Sequence, residues 1–395
     1  MNPRIPALHR LPPMLYPQSV GFQDFFGNAQ TLTRLRESIR AGRFPHSLIL
    51  AGPRGAGKYT LALMLAKAVN CLHPTESPTE SGPLPDFCGA CRNCTRIGDA
   101  ANLDALVAEA VAAREDLRDA DKRETRILIQ THPDVLIVPP DPPQLLIKLG
   151  QVRQVIHAAY YRPPVEALRA FTIFTSSAFM KEAANSLLKV LEEPPEHTSL
   201  ILLTENPQEL LPTIRSRAVI HRLGALPASA LEALLAQRRP ELKPADRALA
   251  ARLAEGAVGR ALTLDLGLYL ASRQDALILL RTALPFGDQA PDYSQLFHST
   301  ESYRGGADGQ EKTINLLRAL GSLLEDLLLI VAGTPQLIRN VDLAAELDRL
   351  ARDSALTVDW IDSAARALVQ VEQGMRRNLL RSLSLDAMAV SLDRN

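Results

Sequence analysis

At 395 residues the chain is longer than one hydrophobic core usually organises, so two or three domains are expected, and three fit its pattern best. Apolar residues make up 46% against only 5% aromatics, with many Ala and Leu, which favours helices over a β-sandwich. The 44 basic and 44 acidic residues cancel, which excludes a general affinity for polyanions and confines any nucleic-acid contact to a local patch.

Met1 to Gln18 carries five prolines and two arginines without a continuous apolar core, so a floppy leader is expected there and neither a signal peptide nor a membrane anchor. Leu32, Leu35 and Ile39 recur at helical spacing, and His46 to Ala51 then reads as a short buried strand. That strand enters Gly52-Pro53-Arg54-Gly55-Ala56-Gly57-Lys58, and Leu61 to Val69 continues as a helix. Strand, glycine turn and helix form the context of a phosphate loop, because amides at a helix N-terminus must point at the phosphates. Gly52, Gly55 and Gly57 let the backbone turn its amides inward, and Lys58 supplies a point charge for the β and γ phosphates.

The position after Lys58 should hold Ser or Thr to ligate Mg²⁺, yet it is Tyr59. Thr60 is no substitute, since one residue along a helix turns the side chain by about 100°. Binding of ATP or ADP is expected to persist while Mg²⁺ is held poorly; the alternative is a relic loop that only packs a strand on a helix.

All four cysteines fall together: Cys71, then Cys88-Gly-Ala-Cys91-Arg-Asn-Cys94. Paired two-residue spacings let backbone turns present thiolates to one ion, and four cysteines complete a closed structural Zn²⁺ site with no open catalytic position. Disulfides fit poorly with cysteines three apart in a chain without a secretory signal. Pro74 to Pro85 reads as a loop between the first ligand and the rest, and Ala100 to Gln130 as an inserted helix, in its simplest reading a solvated spacer.

Further strands are expected at Asp134 to Val138, Ala170 to Phe174 and Ser199 to Leu203, and their alternation with helices implies a parallel, doubly wound α/β sheet. The strand Phe171 to Phe174 ends in Thr175-Ser176-Ser177 where an ATPase needs an acidic pair, one carboxylate for Mg²⁺ and one to orient water. Without both, intrinsic hydrolysis is not expected. From Leu226 strand patterns vanish. The expected organisation is a P-loop domain over 1–225 with the cysteine insertion at 71–94 and the inserted helix at 100–130, a helical lid over 226–272 and an all-α domain over 273–395, with a Gly/Ser/Asp-rich break at Pro285 to Gly309. The apolar run Leu316 to Ala332 is interrupted by Arg318, Glu325 and Asp326, so a soluble, cytoplasmic protein is expected.

Phe26-Gly27-Asn28, Phe44-Pro45-His46, the glycine loop, the four cysteines, His132-Pro133-Asp134, Ala184-Asn185-Ser186-Leu187-Leu188-Lys189-Val190-Leu191-Glu192-Glu193-Pro194-Pro195 and Thr213-Ile214-Arg215-Ser216-Arg217 follow one another in an order that resembles bacterial DNA polymerase III clamp-loader subunits of the AAA+ superfamily. Tyr59 and Thr175-Ser176 make the chain look like the delta-prime type rather than the gamma/tau motor type. The resemblance implies a heteropentamer with gamma/tau and delta, a sliding clamp and primed DNA as partners, and a C-terminal helical collar.

The resemblance also makes Arg217 a trans-acting arginine finger for a neighbour's ATP, Thr204 a sensor-1 residue and Arg260 a sensor-2-like residue on the lid. Their alternatives are a surface salt bridge, a cap on the next turn and an exposed helix arginine respectively. Two features depart from the family pattern: the longer gap between Cys71 and Cys88, and the 100–130 insertion. A lone zinc-stabilised DNA-binding protein is disfavoured by the neutral charge and by the absence of an interleaved aromatic and basic stripe.

Overall fold

A computed structural model of the chain describes residues 21–80, 82–142, 144–161, 164–284, 293–301, 303, 306–375 and 381–392. The expected leader Met1 to Gln18 and the first part of the break after Leu284 lie outside the described residues. Among the described residues two compact units form, one from 21–226 with 256–260 and the other from 227–255 and 261–392.

The first unit opens with α1 (Ala29–Arg40), β1 (Ser47–Ala51) and α2 (Lys58–Asn70). It continues through β2 (Thr75–Ser77), β3 (Leu84–Asp86), α3 (Arg92–Gly98), α4 (Leu103–Glu115) and α5 (Asp119–Glu124). Then follow β4 (Ile129–His132), β5 (Val135–Val138), α6 (Leu149–Tyr161), β6 (Ala170–Phe174), α7 (Lys181–Glu192), β7 (Thr198–Thr204), α8 (Pro212–Arg215) and β8 (Val219–Arg222). Six of these strands make one sheet in the order β4-β5-β6-β7-β1-β8, parallel except where β4 meets β5. The expected parallel α/β fold is therefore present.

β1 and β7 are buried along their whole length, as unbroken apolar runs must be when helices cover both faces of a parallel sheet. Their side chains alternate between two cores. Ile49, Ala51, Leu200 and Leu202 pack with Val152, Leu187 and Val190, whereas Leu48, Leu50, Ile201 and Leu203 pack with Leu61, Leu65, Phe87 and Cys94. The sheet thus places the cysteine segment on one face and α6 and α7 on the other.

Three expectations need correction. Pro74 to Pro85 is not a plain loop, because β2 and β3 pair antiparallel within it. Arg36 is buried and binds the Ser77, Leu84 and Pro85 carbonyls, an array that only an ordered hairpin can present. The 100–130 segment is two helices, and Ile129 and Gln130 already belong to β4, which returns to β5 through Pro133-Asp134, a connection too short for anything but a hairpin. Nor is it a solvated spacer: Leu103, Leu106 and Val107 pack on the core, and Arg114 pairs with the fully buried Asp141.

The second unit is helical: α9 (Ala228–Arg238), α10 (Pro244–Leu253), α11 (Val258–Thr263, whose first turn belongs to the first unit), α12 (Leu266–Ala283), α13 (Tyr293–Glu301), α14 (Gly306–Val331), α15 (Ala344–Asp353), α16 (Val358–Met375) and α17 (Arg381–Leu392). Leu277, Leu280, Leu316, Leu320, Leu347, Trp360 and Leu385 share its core. α12 runs unbroken across residue 272, where the lid was expected to end. No helix among the described residues is long and apolar enough to cross a membrane.

Candidate functional site

The glycine loop sits where β1 meets α2, and its backbone explains its composition. Gly55 and Gly57 have φ of 83° and 86°, the left-handed region that a side chain disfavours. A Cβ on Gly55 would also come within 2.9 Å of the Arg260 backbone nitrogen, since the Gly256–Arg260 segment lies against the loop and Gly259 N–H donates to the Gly55 carbonyl at 2.7 Å. Arg260 therefore stands beside the loop through its backbone. Gly52 N–H is anchored on the Thr204 carbonyl at 3.1 Å, tying the loop to the end of β7.

Lys58 begins α2 and folds its ammonium over the loop, donating to the carbonyls of Gly52 at 2.6 Å and Pro53 at 2.9 Å. Burial lowers its pKa, Glu205 opposes that shift and Arg54 reinforces it. Tyr59 points its hydroxyl elsewhere: it donates to the Ala100 carbonyl at 2.7 Å, and burial raises its pKa further, so it offers no metal ligand. Thr60 lies in the same helical turn as Lys58.

At the strand ends, Ser176 Oγ accepts from Ala178 N–H and Ser177 Oγ donates to Glu209 at 2.5 Å. Thr204, fully inside, donates to the Asn206 carbonyl at 2.8 Å and accepts from Asn206 N–H at 3.1 Å, so its hydroxyl caps the following turn. Glu209 also approaches Thr204 Oγ at 3.4 Å. Sequence reasoning missed Glu209, because a three-residue 3₁₀ turn delivers it to the strand ends from 32 positions beyond Ser177. Glu205, which follows β7, is exposed and acts on Lys58 through its charge.

Cys71, Cys88, Cys91 and Cys94 converge, with all four sulfurs within 4.8 Å of one another and none in a disulfide. Sulfur separations from Cys71 are 3.5 Å to Cys88, 3.9 Å to Cys91 and 3.6 Å to Cys94. A tetrahedral ion with metal–sulfur bonds of 2.3 Å requires edges of about 3.8 Å, so the set could hold Zn²⁺. Burial acts to raise the Cys91 thiol, but hydrogen bonds from the Cys94 and Leu72 backbone and from the Cys94 and Cys88 side chains together outweigh it and bring the group down to about 6, whereas burial raises Cys94.

The cysteine segment is braced from the sheet. Asp134 accepts from the N–H groups of Val165, Glu166 and Ala167 at 2.8 to 2.9 Å, which fixes the 165–167 turn. Glu166 then pairs with Arg92 and Arg96 on α3, and Asn93 donates to the Asn70 and Glu166 carbonyls. His132-Pro133-Asp134 thus has a structural role: it holds the fold of the cysteine module.

Arg217 follows α8 at the surface, with its side chain 35% exposed. One guanidinium branch donates to Thr213 O at 3.0 Å and Ser216 Oγ at 3.2 Å, and the other lies 2.9 Å from Glu192 Oε1. Among the residues singled out from sequence, the structure gathers Gly52, Gly55, Gly57, Lys58, Thr204 and Arg260 around the loop and the four cysteines into one cluster.

Residues 27–227 match the family described as DNA polymerase III, delta subunit. The tau subunit of DNA polymerase III from Escherichia coli K12 is 30% identical over 247 residues, 62% of this chain and 32% of that protein. The delta' subunit from Bacillus subtilis is 34% identical over 184 residues, 46% of this chain and 43% of that protein. The chain thus spans about a third of the length of the tau and gamma/tau relatives it matches. A gamma-subunit-related structure from Thermotoga maritima aligns over 93% of this chain and 98% of its own, at 16% identity and a TM-score of 0.36.

Proposed function

The chain belongs to the DNA polymerase III delta-subunit family, and on that premise we propose that it is a delta-prime, stator-like component of a clamp loader. In this reading it assembles with gamma/tau and delta subunits, helps place a sliding clamp on primed DNA, and offers Arg217 to the ATP of a neighbouring motor subunit. A guanidinium suits that task because it is permanently charged and meets phosphate oxygens in a fork.

The carrying observation is the contrast between loop and strand end. The loop keeps Gly52, Gly55, Gly57 and Lys58, while Tyr59 spends its hydroxyl on Ala100 and β6 ends in Thr175-Ser176-Ser177. Gly52, Gly55, Gly57 and Lys58 would hold ATP or ADP phosphates, with Thr60, Thr204 and Arg260 near them, and Mg²⁺ would lack its usual hydroxyl and carboxylate. Zn²⁺ would sit on Cys71, Cys88, Cys91 and Cys94 as a structural ion. The lid over 226–272 and the collar over 273–395 belong to the same reading.

A gamma/tau-type motor is the second reading, favoured by the 30% identity to tau. ATP turnover by the purified chain separates the two. The proposal expects background rates with Mg²⁺; appreciable hydrolysis abolished by Lys58→Ala would establish the motor instead.

A further inference from the structure

Asn185 to Pro195 is the most distinctive phrase in the sequence, yet phosphate binding uses none of it. Helix α7 ends on Glu192 and is followed by Glu193, both at the negative end of the helix dipole, where carboxylates are disfavoured. Glu193 acts through its backbone, its carbonyl accepting the Tyr160 hydroxyl at 2.8 Å. Glu192 acts through its side chain, which meets Arg217 at 2.9 Å.

Arg217 is consequently gripped from two helices. Thr213 and Ser216 of the α8 turn hold one branch of the guanidinium and Glu192 of α7 holds the other. Because the group is a planar fork, fixing both branches fixes which edge faces outward. Left to solvent, an arginine at the surface would spread over many rotamers, and ordering it at the moment of use would cost conformational entropy. The ion pair itself is open to water, Glu192 being 51% exposed, so its contribution to holding the fold is small and its placement needs another purpose.

We propose that Glu192 is a positioning residue for Arg217, setting the orientation of the guanidinium before a neighbour's triphosphate arrives. This inference rests on the reading of Arg217 as a cation donated in trans. A masking carboxylate would act in the opposite sense, and the two are separable by the sign of one change in rate.

The test uses the reconstituted complex, with kcat and KM for ATP measured for Glu192→Ala, Glu192→Gln, Arg217→Ala and the double variant. Glu192→Ala is expected to lower kcat by about two- to fivefold, the range an exposed ion pair contributes, with KM unchanged. Glu192→Gln keeps an acceptor oxygen and should recover most of the rate. Adding Glu192→Ala to Arg217→Ala should cost nothing more, since both act through one group. A rise in kcat for Glu192→Ala, or a double variant slower than Arg217→Ala, overturns the proposal. If Arg217→Ala is slow and Glu192→Ala is not, positioning alone falls; if Arg217→Ala is at full speed, the trans-arginine reading falls and positioning falls with it. Should Glu192→Ala not fold, Glu192→Asp, which withdraws the carboxylate by one methylene, carries the same expectation.

Discussion

The phosphate loop and the Arg217 corner lie in the same unit but use polar side chains in opposite ways. Around the loop they turn inward: Tyr59 holds Ala100, Lys58 holds two carbonyls and Thr204 caps Asn206. At the corner a cation stands at the surface, steadied by its own turn and by one carboxylate. Groups near the loop are therefore committed to the fold, whereas Arg217 can be altered with little structural consequence. Substitutions near the loop should register as lost stability, and substitutions at the corner as lost turnover.

The largest effect is expected from the cysteine cluster. Structural zinc sites contribute on the order of 10 kcal/mol, so chelation or Cys94→Ser should collapse the segment around α3 and lower the thermal midpoint sharply. A midpoint insensitive to chelators would remove the metal from the account. Asp134→Ala comes next: three amides lose their acceptor, and denaturant titration should show a loss of about 3 kcal/mol. Tyr59→Phe should cost about 1 kcal/mol and leave the turnover of an assembled complex unchanged, which would confirm that the hydroxyl serves packing.

The smallest effect is a pH dependence at His132. Its ring is buried, and Nδ1 accepts the Asp134 N–H at 3.1 Å, so a proton there would displace an existing bond. Burial lowers its pKa, Arg96 and Arg92 reinforce the shift, and Asp134 and Glu166 oppose it. The unfolded chain then binds this proton more readily, so the group's contribution is full above the ordinary value of 6.5 and is lost as pH falls through the lower folded value. Stability measured across that window should slope less steeply in His132→Gln.

Much of this was legible in the sequence because it is local. A strand running into Gly52 and a helix beginning at Lys58 are written in consecutive residues, as is the spacing of Cys88, Cys91 and Cys94. What escaped depends on distance along the chain. Antiparallel β4 hides because its residues close a helix-rich insertion, and edge strand β8, with Val219 and Ile220 exposed, lacks the buried apolar run that marked its neighbours. Tyr59 could be seen to lack a metal-binding role, but its real partner lies 41 residues away. Glu192 was visible as part of a motif, and only the packing of α7 beside α8 shows that it meets Arg217.

The central claim is that this chain gives a cation to another active site while its own loop does not fire. ATP turnover of the reconstituted complex carrying either Arg217→Ala or Lys58→Ala, compared side by side, tests it most directly. The account predicts a fall of roughly a thousandfold at the neighbouring site for Arg217→Ala, on the scale of other trans-acting arginines, with turnover near wild type for Lys58→Ala. Full activity in Arg217→Ala together with a large loss in Lys58→Ala would contradict it.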